Sequence, residues 1–176
     1  MVVVILVVAG VILFVALSAP PAGTPTVAST SISIGADAII ASASQANPAG
    51  FVLQSSMQPA SRSSDWAVLQ HPDGSEANVT VAVYPSVAAS QKYYDAVVAG
   101  VKGLPGYTNV TTDLASFQRY GKCYGYGEDV DNIAVINGVC TKGNVFFQVH
   151  LVSAISFPGL EEDFTSIMGA LYQSAA

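Results

Sequence analysis

Trp66-Ala-Val-Leu-Gln70, the six residues His71-Pro-Asp-Gly-Ser-Glu76 and the run Asn78-Val-Thr-Val-Ala-Val-Tyr84 decide the fold. The outer runs are built of residues that suit a pleated, half-buried surface, and Pro72-Asp73-Gly74 between them is a turn signature. Polar and apolar residues alternate from Asn78 to Tyr84, which places Val79, Val81 and Val83 on one face. The expectation is a β-hairpin with one face buried.

Downstream, Pro85-Ser86 changes the period. Ser86 is placed to cap a helix running to about Lys102, where Gly103 would close it. Val87, Tyr94, Val98 and Val101 share one side of that helix, while Lys92 and Asp95 face water. Leu104-Pro105-Gly106 is a turn, and 107–117 is β-favouring but irregular. Residues 118–127 are rich in Gly and Tyr and read as a strand with a bend or bulge. Short strands then alternate with turn signals at Asn137-Gly138 and at Lys142-Gly143-Asn144. Val145-Phe-Phe-Gln-Val-His-Leu-Val152 is the most strand-like run of all. Pro158 opens a last helix with Glu161, Glu162 and Asp163 in its first turn, where the helix dipole favours acids. Leu160, Phe164, Ile167 and Leu171 give that helix an apolar stripe.

Upstream, Phe51–Gln54 reads as a short strand, and Asp37–Gln45 as a short helix. The Ser29–Ile34 run alternates and is a candidate edge strand. The fold class is α+β: an antiparallel sheet packed by two amphipathic helices, in the order β-β-α-β-β-β-α. Residues 1–19 form a transmembrane anchor or signal peptide, 20–35 a Pro/Ser/Thr-rich linker, and 36–176 a single α+β domain.

Residues 1–18 are an almost unbroken apolar run stopped by Pro20-Pro21. A span needs at least roughly 17 apolar residues, so the run qualifies. Ala16-Leu17-Ser18 resembles a small-x-small cleavage site, but the basic flank of a signal peptide is missing. An uncleaved anchor is the favoured reading, with a secreted chain the alternative if residues 1–18 are removed. No Lys or Arg flanks the run to orient it. Cys123 and Cys140 supply that argument, because behind a secretion signal an isolated pair reads as a disulfide. Asn78-Val-Thr80 and Asn109-Val-Thr111 are candidate glycosylation sequons and agree with an external domain.

Only 10% of the residues are charged, and the net charge is −6 with six scattered basic residues. That argues against a nucleic-acid partner, which needs a clustered basic surface. His71 and His150 lack metal-ligand spacing, so no metal or cofactor is expected. Glu128-Asp129-Val-Asp131-Asn132 is the densest set of oxygen ligands, yet without the EF-hand pattern it reads as a solvated turn. No nucleophile elbow, phosphate loop, dinucleotide fingerprint or haem attachment motif occurs. Tyr120, Tyr124 and Tyr126, beside Arg119 and Lys122, are the candidate interaction surface. Alternate tyrosines on one strand face present an amphipathic platform for a protein or a sugar, unless they pack under the helices.

An anchor and polar linker precede Pro48-Ala-Gly50-Phe51 and Trp66. A Gly/Tyr strand follows, then the Lys142-Gly143-Asn144-Val145 hairpin and an amphipathic C-terminal helix. In this layout, residues 45–176 resemble the extracytoplasmic α/β domains of bacterial lipoproteins and of receptor-kinase sensors, some of which share the PsbP-like sandwich. The resemblance implies a binding or accessory role and carries over no functional residue. The leading expectation is a non-enzymatic, membrane-anchored extracytoplasmic module that docks on another envelope or membrane protein. A sensor domain with a ligand pocket between helix and sheet is the alternative, and an unrecognised hydrolase a third.

Overall fold

The computed structural model describes residues 31–56, 63–102, 108–109, 114, 121–130, 133–153 and 157–176. The N-terminal apolar run, Tyr120, and Asp131 and Asn132 of the acidic cluster lie outside these. The hairpin is present as β2 (Ser64–Gln70) and β3 (Glu76–Val83), paired antiparallel from Ser64↔Ala82 to Gln70↔Glu76. Its turn closes through Gly74 N–H donating to the His71 carbonyl at 3.0 Å. Gly74 has φ +93°, a conformation that costs other residues steric strain.

Around the hairpin the sheet grows on both sides. β1 (Val52–Ser56) flanks β2. On the other side come β7 (Val145–Ser153), β6 (Ile133–Lys142), β5 (Cys123–Val130) and the two-residue β4 (Thr108–Asn109). The order is β1-β2-β3-β7-β6-β5-β4, and every neighbouring pair is antiparallel. Six strands are long, and the seventh, β4, barely pairs.

Three helices complete the α+β architecture: the two amphipathic helices expected to pack the sheet, and the short helix expected over Asp37–Gln45, which packs on it too. α1 (Ala36–Gln45) and α3 (Phe157–Ser174) pack side by side on one sheet face. Ile39, Ile40, Phe164, Ile167, Met168 and Leu171 from these helices meet Ala67, Val79, Val81, Ile136, Phe147, Val149 and Leu151 from the strands. α2 (Val87–Val101) lies on the opposite face, where Tyr94 and Val98 bury Val139 and Phe146. Ser86 caps it as expected, accepting from the Ala89 N–H at 3.2 Å.

Four local expectations are corrected. β6 runs unbroken through Asn137-Gly138, so no turn forms there. Of the bend or bulge expected over 118–127, the chain bends at Gly121 just before β5, and 118–120 lie outside the described residues. No bulge falls within β5, which pairs with β6 without any register shift; a register shift sits instead in β1 between Leu53 and Ser55. α3 begins at Phe157, one turn earlier than its acids require, so Glu161–Asp163 occupy the second turn. The described part of the Ser29–Ile34 run is not a strand. Instead Asn144 at the β6–β7 turn clamps Ile32: its Oδ1 accepts from the Ile32 N–H at 2.7 Å, and its Nδ2 donates to the Ile32 carbonyl at 3.3 Å and to Tyr84 O at 2.8 Å. Ile32 and Ile34 then pack against the main core.

Candidate functional site

Cys123 and Cys140 face each other across β5 and β6 and are joined, with Cα atoms 4.2 Å apart. The bridge fixes the start of β5, and with it the tyrosines that follow. Tyr124 and Tyr126 project from β5 on the α2 side of the sheet, opposite Val139 and Asn137, with ring centroids 6.0 Å apart. They do not form a flat exposed platform. Tyr126 is buried and Tyr124 half-buried, so packing accounts for much of their surface. Tyr120 lies outside the described residues.

Between α2 and β5 runs an open groove of about 720 Å³ lined by Tyr94, Asp95, Lys102, Asn109 and Tyr124 among others. Lys102 Nζ sits 5.3 Å over the Tyr124 ring, and Lys122 Nζ sits 5.8 Å over Tyr94, both cation–π geometries. Lys122 also pairs with Asp95 at 2.8 and 3.1 Å. Burial and the neighbouring Asp95 carboxylate push the Tyr94 phenol up to about 12, so it is a neutral hydrogen-bonding group at physiological pH. By contrast, the interior between α1, α3 and the sheet holds a void of only about 10 Å³, too small for a ligand.

The rest of the α2-side face continues across β6, β7, β3 and β2 beyond the helix. Register places Tyr126, Asn137, His150, Asn78 and Val68 in one row across five strands. His150 Nδ1 lies 2.6 Å from Asn137 Oδ1, and because that oxygen only accepts, the imidazole carries its proton on Nδ1. Burial lowers the His150 pKa, partly offset by the Glu76 carboxylate, so the ring is neutral. Asn78 donates to Glu76 Oε1 at 3.1 Å. Trp66, Thr80, Gln148 and Val152 flank this row and, like Val68 within it, are half-buried. Sequence reading took His150 as a core residue and Asn137 as a turn. Their pairing depends on β6–β7 register, which spacing alone does not reveal.

At the β2–β3 turn, His71 Nδ1 lies 2.8 Å from Asp73 Oδ1 and its ring stacks against Phe51 at 5.3 Å. The Ser75 N–H and hydroxyl, then His71, hold the Asp73 carboxyl down at about 2. Asp73 thus bonds both, but among the described residues neither imidazole bonds a serine hydroxyl. Nor do three or more His, Cys, Asp or Glu side chains converge there to hold a metal. Of the sequon asparagines, Asn78 is half-buried in a central strand, and Asn109 is exposed at the β4 edge. Among the described residues no helix is long and apolar enough to cross a membrane. No protein-family model matches the chain, and no curated protein does.

Proposed function

We propose that the chain is a non-enzymatic, membrane-tethered accessory module whose domain, outside the cytoplasm, docks on another envelope or membrane protein. The observation that carries this reading is the sheet face beyond α2. α2 packs on β6 and β7, while Trp66, Val68, Thr80, Gln148 and Val152 stay only half-buried. That mixture of apolar and amide-bearing side chains on a rigid scaffold is the make-up of a protein interface. The apolar run 1–18 and the Cys123–Cys140 bridge support the membrane tether and the external address.

Trp66, the single tryptophan, lies on this face and makes the reading measurable. Detergent-extracted chain should co-purify with a partner membrane protein, and the Trp66 emission should move to shorter wavelength when that partner is added back. A Val68→Lys change should abolish both while leaving the thermal melt within a degree or two. Retention of the partner by Val68→Lys would rule out this face.

The groove between α2 and β5 favours a second reading, a sensor domain for a small polar ligand. A Tyr124→Ala variant that loses ligand-induced thermal stabilisation but keeps the partner would select that reading instead.

A further inference from the structure

Charge is segregated along the strand axis. All four lysines lie in the half of the domain that holds the β6–β7 turn. Lys92 and Lys102 are exposed on α2, Lys122 stands beside the first residue of β5, and Lys142 ends β6. At the opposite end are Asp73 and Glu76 at the β2–β3 turn, Glu128 near the end of β5, and Glu161, Glu162 and Asp163 in the second turn of α3. Acids do occur in the lysine half, but Asp95 is spent on Lys122, and Asp65 and its neighbour Asp37, on α1, lie on the other face of the sheet.

The chain itself marks the same end. Asn144, in the β6–β7 turn, grips the backbone of Ile32, so the linker from the apolar run joins the domain where the lysines are. Up to thirteen linker residues separate residue 18 from Ile32, a reach of at most roughly 45 Å. A linker of that length permits contact with the bilayer but does not impose an orientation. Electrostatics then decides.

We propose that the outer side of α2 together with the β6–β7 turn is a lipid-facing surface, held against anionic headgroups by Lys92 and Lys102, while Lys122 stays paired with Asp95. The inference rests on the membrane tether proposed above. Attraction at the lysine end and repulsion at the acidic end add, and both act within a Debye length of about 8–10 Å. In this pose the face around Trp66, Val68 and Gln148, on the same side of the sheet as α2, is turned to the membrane as well, within reach of a partner embedded there.

The test uses full-length chain in vesicles of phosphatidylcholine alone or mixed with phosphatidylglycerol, probed with a membrane-impermeant amine reagent and read by mass spectrometry. A reporter lysine introduced by Gln70→Lys marks the far end, where Gln70 is exposed. In the anionic vesicles Lys92 and Lys102 should label about fivefold more slowly than in neutral ones, and the reporter at 70 should not change. Molar salt should erase the difference. Equal labelling in both vesicle types, with the chain still resisting a carbonate wash, overturns the inference and leaves the tether standing. Loss of the chain in the wash sinks the tether reading, and the orientation with it.

Discussion

His150 and Gly138 sit one strand apart and show how single residues hold the sheet. His150 is neutral in the folded protein because burial lowers its pKa below the ordinary value of 6.5. The unfolded chain therefore binds a proton that the folded chain refuses. Stability is fully present above about pH 6.5 and falls as the pH drops below it. A His150→Gln variant should be less stable at pH 8 but should lose the slope between pH 7 and 5, in melting curves taken across that range. An unchanged slope would remove His150 as its source. Gly138 is a different constraint. A Cβ there would overlap the tip of the Phe164 ring, which α3 presses onto the sheet and which is fully buried. Gly138→Ala should cost about 3 kcal/mol, the upper range for overpacking, although alanine is the better strand former. A Gly138→Ala, Phe164→Leu double variant should recover part of it in urea titrations. Asn-Gly is among the strongest turn signals in any sequence, and here it marks no turn. Asn137 is spent on His150 and Gly138 on Phe164. Both needs arise from tertiary neighbours, which a local pattern cannot display.

Whole elements were more legible than their surroundings. The hairpin, the capped α2 and the apolar stripe of α3 follow from period and capping alone, because each buries one regular face. The side on which each helix lands does not follow. Two helices on one face and one on the other depend on strand order, and β7 inserts between β3 and β6 although it is the last strand in the chain. The candidate site suffers most for this reason, since its residues come from five strands: the sequence offers Tyr124 and Tyr126 as a surface with Tyr120, but Asn78 and Asn109 only as sequon asparagines. The cysteines were readable as a pair, and their effect belongs to the element they hold. With a sequence separation of 17, the bridge should contribute about 3 kcal/mol by limiting the unfolded chain. A Cys123→Ala, Cys140→Ala chain should unfold at lower urea by that amount, and reductant should lower the stability of the parent but not of the variant. Equal midpoints for parent and variant would show that pairing of β5 with β6 stands without the bridge. Tyr172 ties into the same strands, its hydroxyl donating to the Thr141 carbonyl at 2.6 Å while Lys142 Nζ donates to the Tyr172 carbonyl at 2.7 Å.

At the scale of the molecule, composition placed the boundary between linker and domain at residue 35, because the stretch before it is uncharged and rich in small polar residues. The folded chain uses two residues of that stretch. Ile32 and Ile34 cover the main core, and the two backbone bonds from Asn144 to Ile32 join the linker end to the β6–β7 turn. Alternating Ser and Ile look like linker in composition and like a strand in period, yet they act as neither. A chain starting at residue 31 should therefore be more stable than one starting at residue 36. Two half-buried isoleucines contribute about 1 kcal/mol each, and the pair of hydrogen bonds adds about 1 kcal/mol together, giving roughly 3 kcal/mol in all. Asn144→Ala in the longer chain should lose about two-thirds of that difference, since the Asn144 bond to Tyr84 O goes too. In the shorter chain the same change should cost only about 1 kcal/mol, because Ile32 is no longer there to be held. Urea midpoints for the four proteins form a closed cycle. Additivity within a few tenths of a kcal/mol would show that Asn144 does not clamp the linker. Strong coupling would show that Asn144 clamps the segment before α1 to the β6–β7 turn.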